Sequence, residues 1–134
     1  MEEKVKSKTN GKRNRSAGHG FELAVVKKLK EHGFPHVVTS RSESRSRDNE
    51  GTDLINCNER VNGRLPYNIQ CKNVCNPLKY PAILSSMIKV PGVTNVIFHK
   101  CTKRSATNFI PVGNYAVLSM EDFLSLISEL NSKK

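Results

Sequence analysis

The sequence predicts an α/β fold in a single domain, with a central mixed β-sheet flanked by α-helices in the order αβββαββα. Three observations lead there. Apolar residues recur at helical spacing in three separate segments, β-rich runs lie between those segments, and 134 residues suffice for one sizeable core but not for two.

The first helix is expected over residues 21–32, where Phe21, Val25, Val26 and Leu29 form an apolar arc and Lys27, Lys28, Lys30 and Glu31 lie opposite. Gly33 and Pro35 stop it, and residues 36–39 read as a short strand. Residues 40–49 alternate Ser and Arg without an apolar side chain, so a surface loop is expected. Residues 53–57 and 67–72 read as two strands joined by a turn that carries Asn62-Gly63, a hairpin signal. In the second of these, alternation sends Asn68, Gln70 and Lys72 to one face and Tyr67, Ile69 and Cys71 to the other. Pro81 opens a helix striped by Ile83, Leu84, Met87 and Ile88, and Pro91-Gly92 closes it. Residues 94–99 and part of 108–118 are strand-like, joined by a basic connection over 100–107 that includes Lys103 and Arg104. Ser119 and Asp122 have the spacing of a capping box, which starts a last helix expected to bury Phe123, Leu124, Ile127 and Leu130.

Charge narrows the choice of partner. With 22 Lys and Arg against 12 Asp and Glu, the formal charge is +10, which favours a polyanion, nucleic acid first. Residues 1–16 contain Lys12, Arg13 and Arg15 and no hydrophobic period, so they are expected to be a disordered basic arm preceding a domain over 17–134. No apolar run approaches the roughly 18 residues of a membrane span, and the N-terminus is charged where a signal peptide needs an apolar core. A soluble, intracellular protein without membrane contact is expected. Cys57, Cys71, Cys75 and Cys101 lack C-x-x-C spacing and are read as free thiols.

Glu22 lies in the middle of the first helix's apolar arc, where an ionised group needs a partner or a metal. Downstream stand Asp53, at the start of a strand, and Gln70-Cys71-Lys72 on the next. Phosphodiester hydrolysis requires an activated water and neutralisation of charge on the phosphoryl and leaving oxygens, much of which a divalent cation on a few oxygen ligands supplies. On this reading Asp53 is the central ligand and Glu22 an outer or second-metal ligand. The Gln70 amide oxygen and the Cys71 carbonyl add further donors, and Lys72 orients the water or stabilises the pentacovalent phosphate. Arg41, Arg45 and Arg47, with the hydroxyls of their loop, are candidate phosphate grips, as are Lys12, Arg13, Arg15, Lys103 and Arg104.

Gly20-Phe21-Glu22, Gly51-Thr52-Asp53 and Gln70-Cys71-Lys72, in this order and on these elements, resemble the PD-(D/E)xK nuclease superfamily, in particular its small archaeal and phage Holliday-junction resolvases. The resemblance spans most of residues 18–130, and Tyr115 to Ser119 followed by Glu121 to Leu124 is similar to the C-terminal strand and helix of phage members. It implies a restriction-endonuclease-like core and a Mg2+-dependent endonuclease, with Mn2+ substituting, that cuts four-way DNA junctions as a homodimer. The compartment implied is the cytoplasm, or a host's cytoplasm for a phage-encoded protein. Residue by residue, it gives Asp53 and Gln70 the metal, Lys72 the catalytic ammonium, Glu22 the helix carboxylate, and Ser40 or Ser42 the place of a catalytic-loop serine. Gln70 stands where many relatives have Glu or Asp, which removes one negative charge from the site, and Asn73 has no assigned role. Two other readings are a restriction- or repair-type nuclease on ordinary duplex, and a DNA- or RNA-binding module on a decayed nuclease fold.

Overall fold

The computed structural model describes the backbone of residues 2–43 and 50–133, and the side chains of 17–41 and 50–133. The element order is α1 (Glu2–Glu31), β1 (Val37–Thr39), α2 (Ser40–Glu43), β2 (Leu54–Asn56), α3 (Glu59–Asn62), β3 (Tyr67–Val74), α4 (Tyr80–Ser86), β4 (Thr94–Arg104), β5 (Phe109–Val117) and α5 (Met120–Ser132). The strands form one mixed sheet in the order β1-β2-β3-β4-β5. Every neighbouring pair is antiparallel except β3 and β4, which run parallel and are connected through α4.

The core lies between α1 and the sheet. Phe21, Val25 and Val26 of α1 pack with Val37, Leu54, Leu65 and Ile69, and Leu29, Phe34, Tyr67, Cys71 and Phe98 close around them. Alternation along β3 thus turns Tyr67, Ile69 and Cys71 towards α1, as the period of two requires. The opposite face is more polar. Asn68 is 2% exposed and donates to the Asn95 side chain at 3.0 Å and to the Ile88 carbonyl at 3.3 Å, while Arg64 donates to its Oδ1 at 3.1 Å. Asn95 also donates to the Ile88 carbonyl at 3.1 Å, so two side-chain amides on adjacent strands tie down the chain leaving α4.

Several expectations are corrected. The backbone of the first helix starts at Glu2 rather than at residue 21, because hydrophobic periodicity marks only the part of a helix that packs on a core. The segment after β1 opens with a helical turn, and Ser40 is fully buried rather than on a surface loop. The strands β2 and β3 pair antiparallel and Asn62-Gly63 lies in their connection, as expected, but at the end of a helical turn rather than in a tight two-residue loop. Residues 57–66 connect β2 to β3 through the α3 turn, with Gly63 at φ +77° as its C-cap and the Asn62 amide donating to the Cys57 carbonyl at 2.6 Å. The helix opened by Pro81 ends at Ser86, short of Met87 and Ile88, because the chain turns extended at Met87. Strand β4 continues to Arg104 through most of the expected basic connection, so Lys103 and Arg104 sit exposed on a long β4–β5 arm.

Helix α5 caps as expected, Ser119 Oγ accepting from the Asp122 N–H at 3.1 Å. Its burial is otherwise. Phe123, Leu124 and Leu130 are at least half exposed, and Ile127 is only partly covered. Strand β5, which precedes it at the sheet edge, likewise exposes Phe109, Ile110, Val112 and Tyr115. An apolar stripe at helical spacing identifies a face, not the element that covers it, and α1 lies over β1 and β3.

Leu54 is completely buried at the centre of the core, so Leu54→Ala is expected to lower unfolding free energy by about 2–5 kcal/mol. Ser119→Ala, which removes only a cap, should cost about 1 kcal/mol. Urea denaturation of the two variants beside wild type checks both, and equal losses would contradict the placement of the core.

Candidate functional site

Asp53 stands immediately before β2 and joins three segments. Its carbonyl accepts from the Ser40 N–H at 2.7 Å, its own N–H donates to the Ile69 carbonyl at 2.8 Å, and its Oδ2 accepts from the Cys71 N–H at 2.8 Å. The chain reaches it through Gly51 at φ +81°, a conformation that L side chains rarely adopt. A Cβ there would lie 3.4 Å from Met87 Cγ and 3.8 Å from Gln70 Oε1, so Gly51 also permits close packing against the exit of α4. The adjoining Glu50 carbonyl accepts from the Ile88 N–H at 3.2 Å.

Glu22 enters from α1 and is 4% exposed. Its Oε1 accepts from Arg41 Nη2 at 3.0 Å, and its Oε2 lies 3.5 Å from His19 Nδ1, one helical turn earlier. Oε2 itself is buried and makes no hydrogen bond. Asn73, at the far end of β3, donates to the Ala17 carbonyl at 3.2 Å and so ties α1 to the strand that bears Lys72.

Cys71 reports on how these groups converge. Burial first, then the Asp53 charge, then the Glu22 charge push its thiol well above the usual range, because a thiolate there would be desolvated and repelled by both carboxylates. Two carboxylates some thirty residues apart therefore act on one thiol. Gln70 and Lys72 extend from the other face of β3, and alternation places Asp53 on that same face, opposite to Leu54. Gln70 Oε1 is buried without a hydrogen-bond partner. Lys72 is half-buried and stands in register with His99 on β4. His99 is 3% exposed; its Nε2 donates to the Val74 carbonyl at 3.2 Å, which leaves Nδ1 to accept from the Tyr80 hydroxyl at 2.8 Å.

The structure thus gathers Glu22, Asp53, Cys71 and the Ser40 backbone, with Gln70 and Lys72 on the adjoining face of β3. Arg41, expected as a phosphate grip, forms an ion pair with Glu22. The side chains of Lys12, Arg13, Arg15, Ser42, Arg45 and Arg47 lie outside the described residues. Sequence reasoning missed His19, for which the i, i+3 spacing to Glu22 was a signal, and the Tyr80–His99 pair beside Lys72, for which there was none. A groove of about 890 Å³ between α4 and the start of α5, lined by Tyr80, Leu84, Lys89, Val93 and Glu121, contains none of the candidate residues.

The resemblance implies a divalent cation, and the donor set bears on the fit. Among the described residues no three His, Cys, Asp or Glu side chains group to hold a metal ion. A hard cation also accepts amide and carbonyl oxygens and keeps several waters. An uncompensated buried Gln70 oxygen on the face next to Asp53 is the kind of polar atom that such a ligand would satisfy. The residues fit an oxygen-ligated cation on Asp53, Gln70 and the Cys71 carbonyl, with Glu22 beyond them. Comparison with family models, curated proteins and solved structures returned no match.

The shielding of Cys71 is directly measurable. Exposed Cys75 should be alkylated rapidly at pH 8, whereas Cys71 should stay unmodified until the chain is unfolded. Mass-spectrometric mapping after brief iodoacetamide treatment checks this, and equal labelling of the two would contradict the buried carboxylate cluster.

Proposed function

We propose that the chain is a divalent-cation-dependent endonuclease that cuts branched DNA, with four-way junctions as the preferred substrate and a two-fold dimer as the working form. The observation that carries the reading is the convergence of Asp53, Glu22 and the Gln70–Lys72 segment from three separate elements. The net charge of +10 supports a polyanionic substrate. The apolar surface of β5 and α5, which lies in a stretch from Ser105 to Ser132 without a single Lys or Arg, supports contact with protein rather than with phosphates.

Hydrolysis forms a bond from a water oxygen to phosphorus and breaks the bond to the leaving sugar oxygen, which takes up a proton. Asp53 and the Gln70 oxygen would hold the divalent cation, which when bound would supply Lewis-acid neutralisation of the developing charge. Lys72 would offer its ammonium to the phosphoryl oxygens as negative charge grows on them. The Cys71 N–H bonded to Oδ2 keeps the Asp53 carboxylate from turning away, and the main-chain bonds to Ser40 and Ile69 fix its backbone, so orientation is set before substrate arrives. Two identical centres related by a two-fold axis suit a reaction that needs paired cuts on symmetry-related strands.

Synthetic four-way junctions beside supercoiled plasmid, each with and without Mg2+, test the reading. Cleavage of the junction alone is expected; cleavage of both favours a restriction- or repair-type nuclease, and binding without cleavage a non-catalytic module. Asp53→Asn and Lys72→Ala should abolish cutting while junction affinity changes little, because many phosphate contacts supply binding and these two groups act on the transition state. Gln70→Glu should tighten Mg2+ or Mn2+ binding in calorimetry, since a charged oxygen replaces a neutral one. Unchanged affinity would remove residue 70 from the ligand set.

A further inference from the structure

The Glu22–Arg41 pair has an unusual asymmetry. The carboxylate side chain is 5% exposed, whereas the guanidinium side chain that bonds it is 47% exposed. Nη2 spends one of the five guanidinium N–H donors on Glu22 Oε1, and this is the side-chain hydrogen bond that Arg41 makes among the described residues. The rest of the fork is thus available on the solvent side, next to the centre that a phosphate would approach. Meanwhile the second Glu22 oxygen is buried, makes no hydrogen bond and has His19 Nδ1 at 3.5 Å, so the carboxylate is hydrogen-bonded at one oxygen alone.

Charge balance gives this geometry a consequence. The Arg41 guanidinium, 3.0 Å from Oε1, offsets the Glu22 charge, and His19 Nδ1 lies 3.5 Å from Oε2. A divalent cation entering the free protein therefore meets a Glu22 whose charge is already paired and whose Oε1 Arg41 occupies. A DNA phosphate changes both terms: it brings negative charge and offers the guanidinium a bidentate acceptor.

We infer that Arg41 is an exchangeable clamp that holds Glu22 in the free protein and is drawn to the DNA phosphate, so that DNA and the divalent cation bind cooperatively. The inference rests on the nuclease reading and deepens it, with Arg41 as a positioning residue that withholds a carboxylate until substrate is present. Linkage makes the effect reciprocal: whatever factor DNA adds to cation affinity, the cation adds to DNA affinity.

Calorimetry with Mn2+ alone, in the absence of DNA, is the direct test. Arg41→Gln should bind Mn2+ about tenfold more tightly than wild type, because one opposing charge leaves the centre. A second measurement compares junction affinity with and without Mn2+, in the Lys72→Ala background so that the strands stay intact. There the cation should strengthen binding about tenfold with Arg41 in place and hardly at all in Arg41→Gln. A purely structural role for Arg41 would weaken the fold without removing this coupling. Should Arg41→Gln fail to fold, Glu22→Gln decides: freeing the guanidinium should tighten junction binding in EDTA about threefold, and unchanged or weaker binding overturns the clamp. If Arg41→Gln binds Mn2+ no better than wild type while Asp53→Asn abolishes binding, the clamp is overturned and the cation site stands. If wild type and Arg41→Gln both fail to bind Mn2+ with and without DNA, the clamp and the nuclease reading fall together.

Discussion

The hydrogen bonding of Asp53 is the constraint on which the site and half of the sheet depend. Strands β2 and β3 share a single register pair, Leu54 with Ile69, so their ladder is too short to satisfy the backbone around it. The Asp53 side chain accepts the Cys71 N–H, while its main chain links to Ser40 and Ile69. One residue thereby fastens the end of β1, the start of β2 and the middle of β3. A buried N–H left without an acceptor costs about 1–3 kcal/mol, so the carboxylate that the proposed chemistry needs is also a structural acceptor.

Around that anchor the molecule divides into unlike faces. Towards α1 the sheet is packed with aliphatic and aromatic side chains, and among the described residues Glu22 is the one buried carboxylate of that helix. On the other face buried polar groups dominate: Asn68 and Asn95 bridge to the Ile88 carbonyl, and His99 is fixed by Val74 and Tyr80. Such a network is stable only when its members are satisfied, and it gives adjacent parallel strands a directional contact that aliphatic packing lacks. It also holds the turn at Gly51 against the sheet, through the bond from Ile88 to Glu50. The polar face therefore positions the segment that leads into Asp53.

Charge is segregated in the same sense. All 22 basic residues fall outside residues 105–132, a stretch that carries three acidic side chains and most of the large exposed hydrophobics. Strand β5 is an uncharged edge, and α5 presents Phe123, Leu124 and Leu130 to the surface. Edge strands are commonly protected by charge or by short length, and nine residues without a charge are neither. Between copies of a strongly basic chain, electrostatic repulsion is weakest where such a face is shared.

Much of this was legible in the sequence because it is local. Alternation in Tyr67 to Cys71 set the two faces of β3, Ser119 and Asp122 set the start of α5, and Gly33 and Pro35 set the end of α1. The misfit of Glu22 within an apolar arc was visible from periodicity alone, as was its need for a partner. Which partner it takes was not, since Arg41 is nineteen residues away and comes within 3.0 Å only after β1 has paired with β2 and turned into α2. For the same reason Asn73 had no role until Ala17 lay beside it, and the α5 stripe gave no sign that it would remain at the surface. Spacing along the chain determines which side chains share a face. Long-range pairing of strands and helices alone decides what that face meets, because the contacts are made between segments whose separation no local pattern encodes.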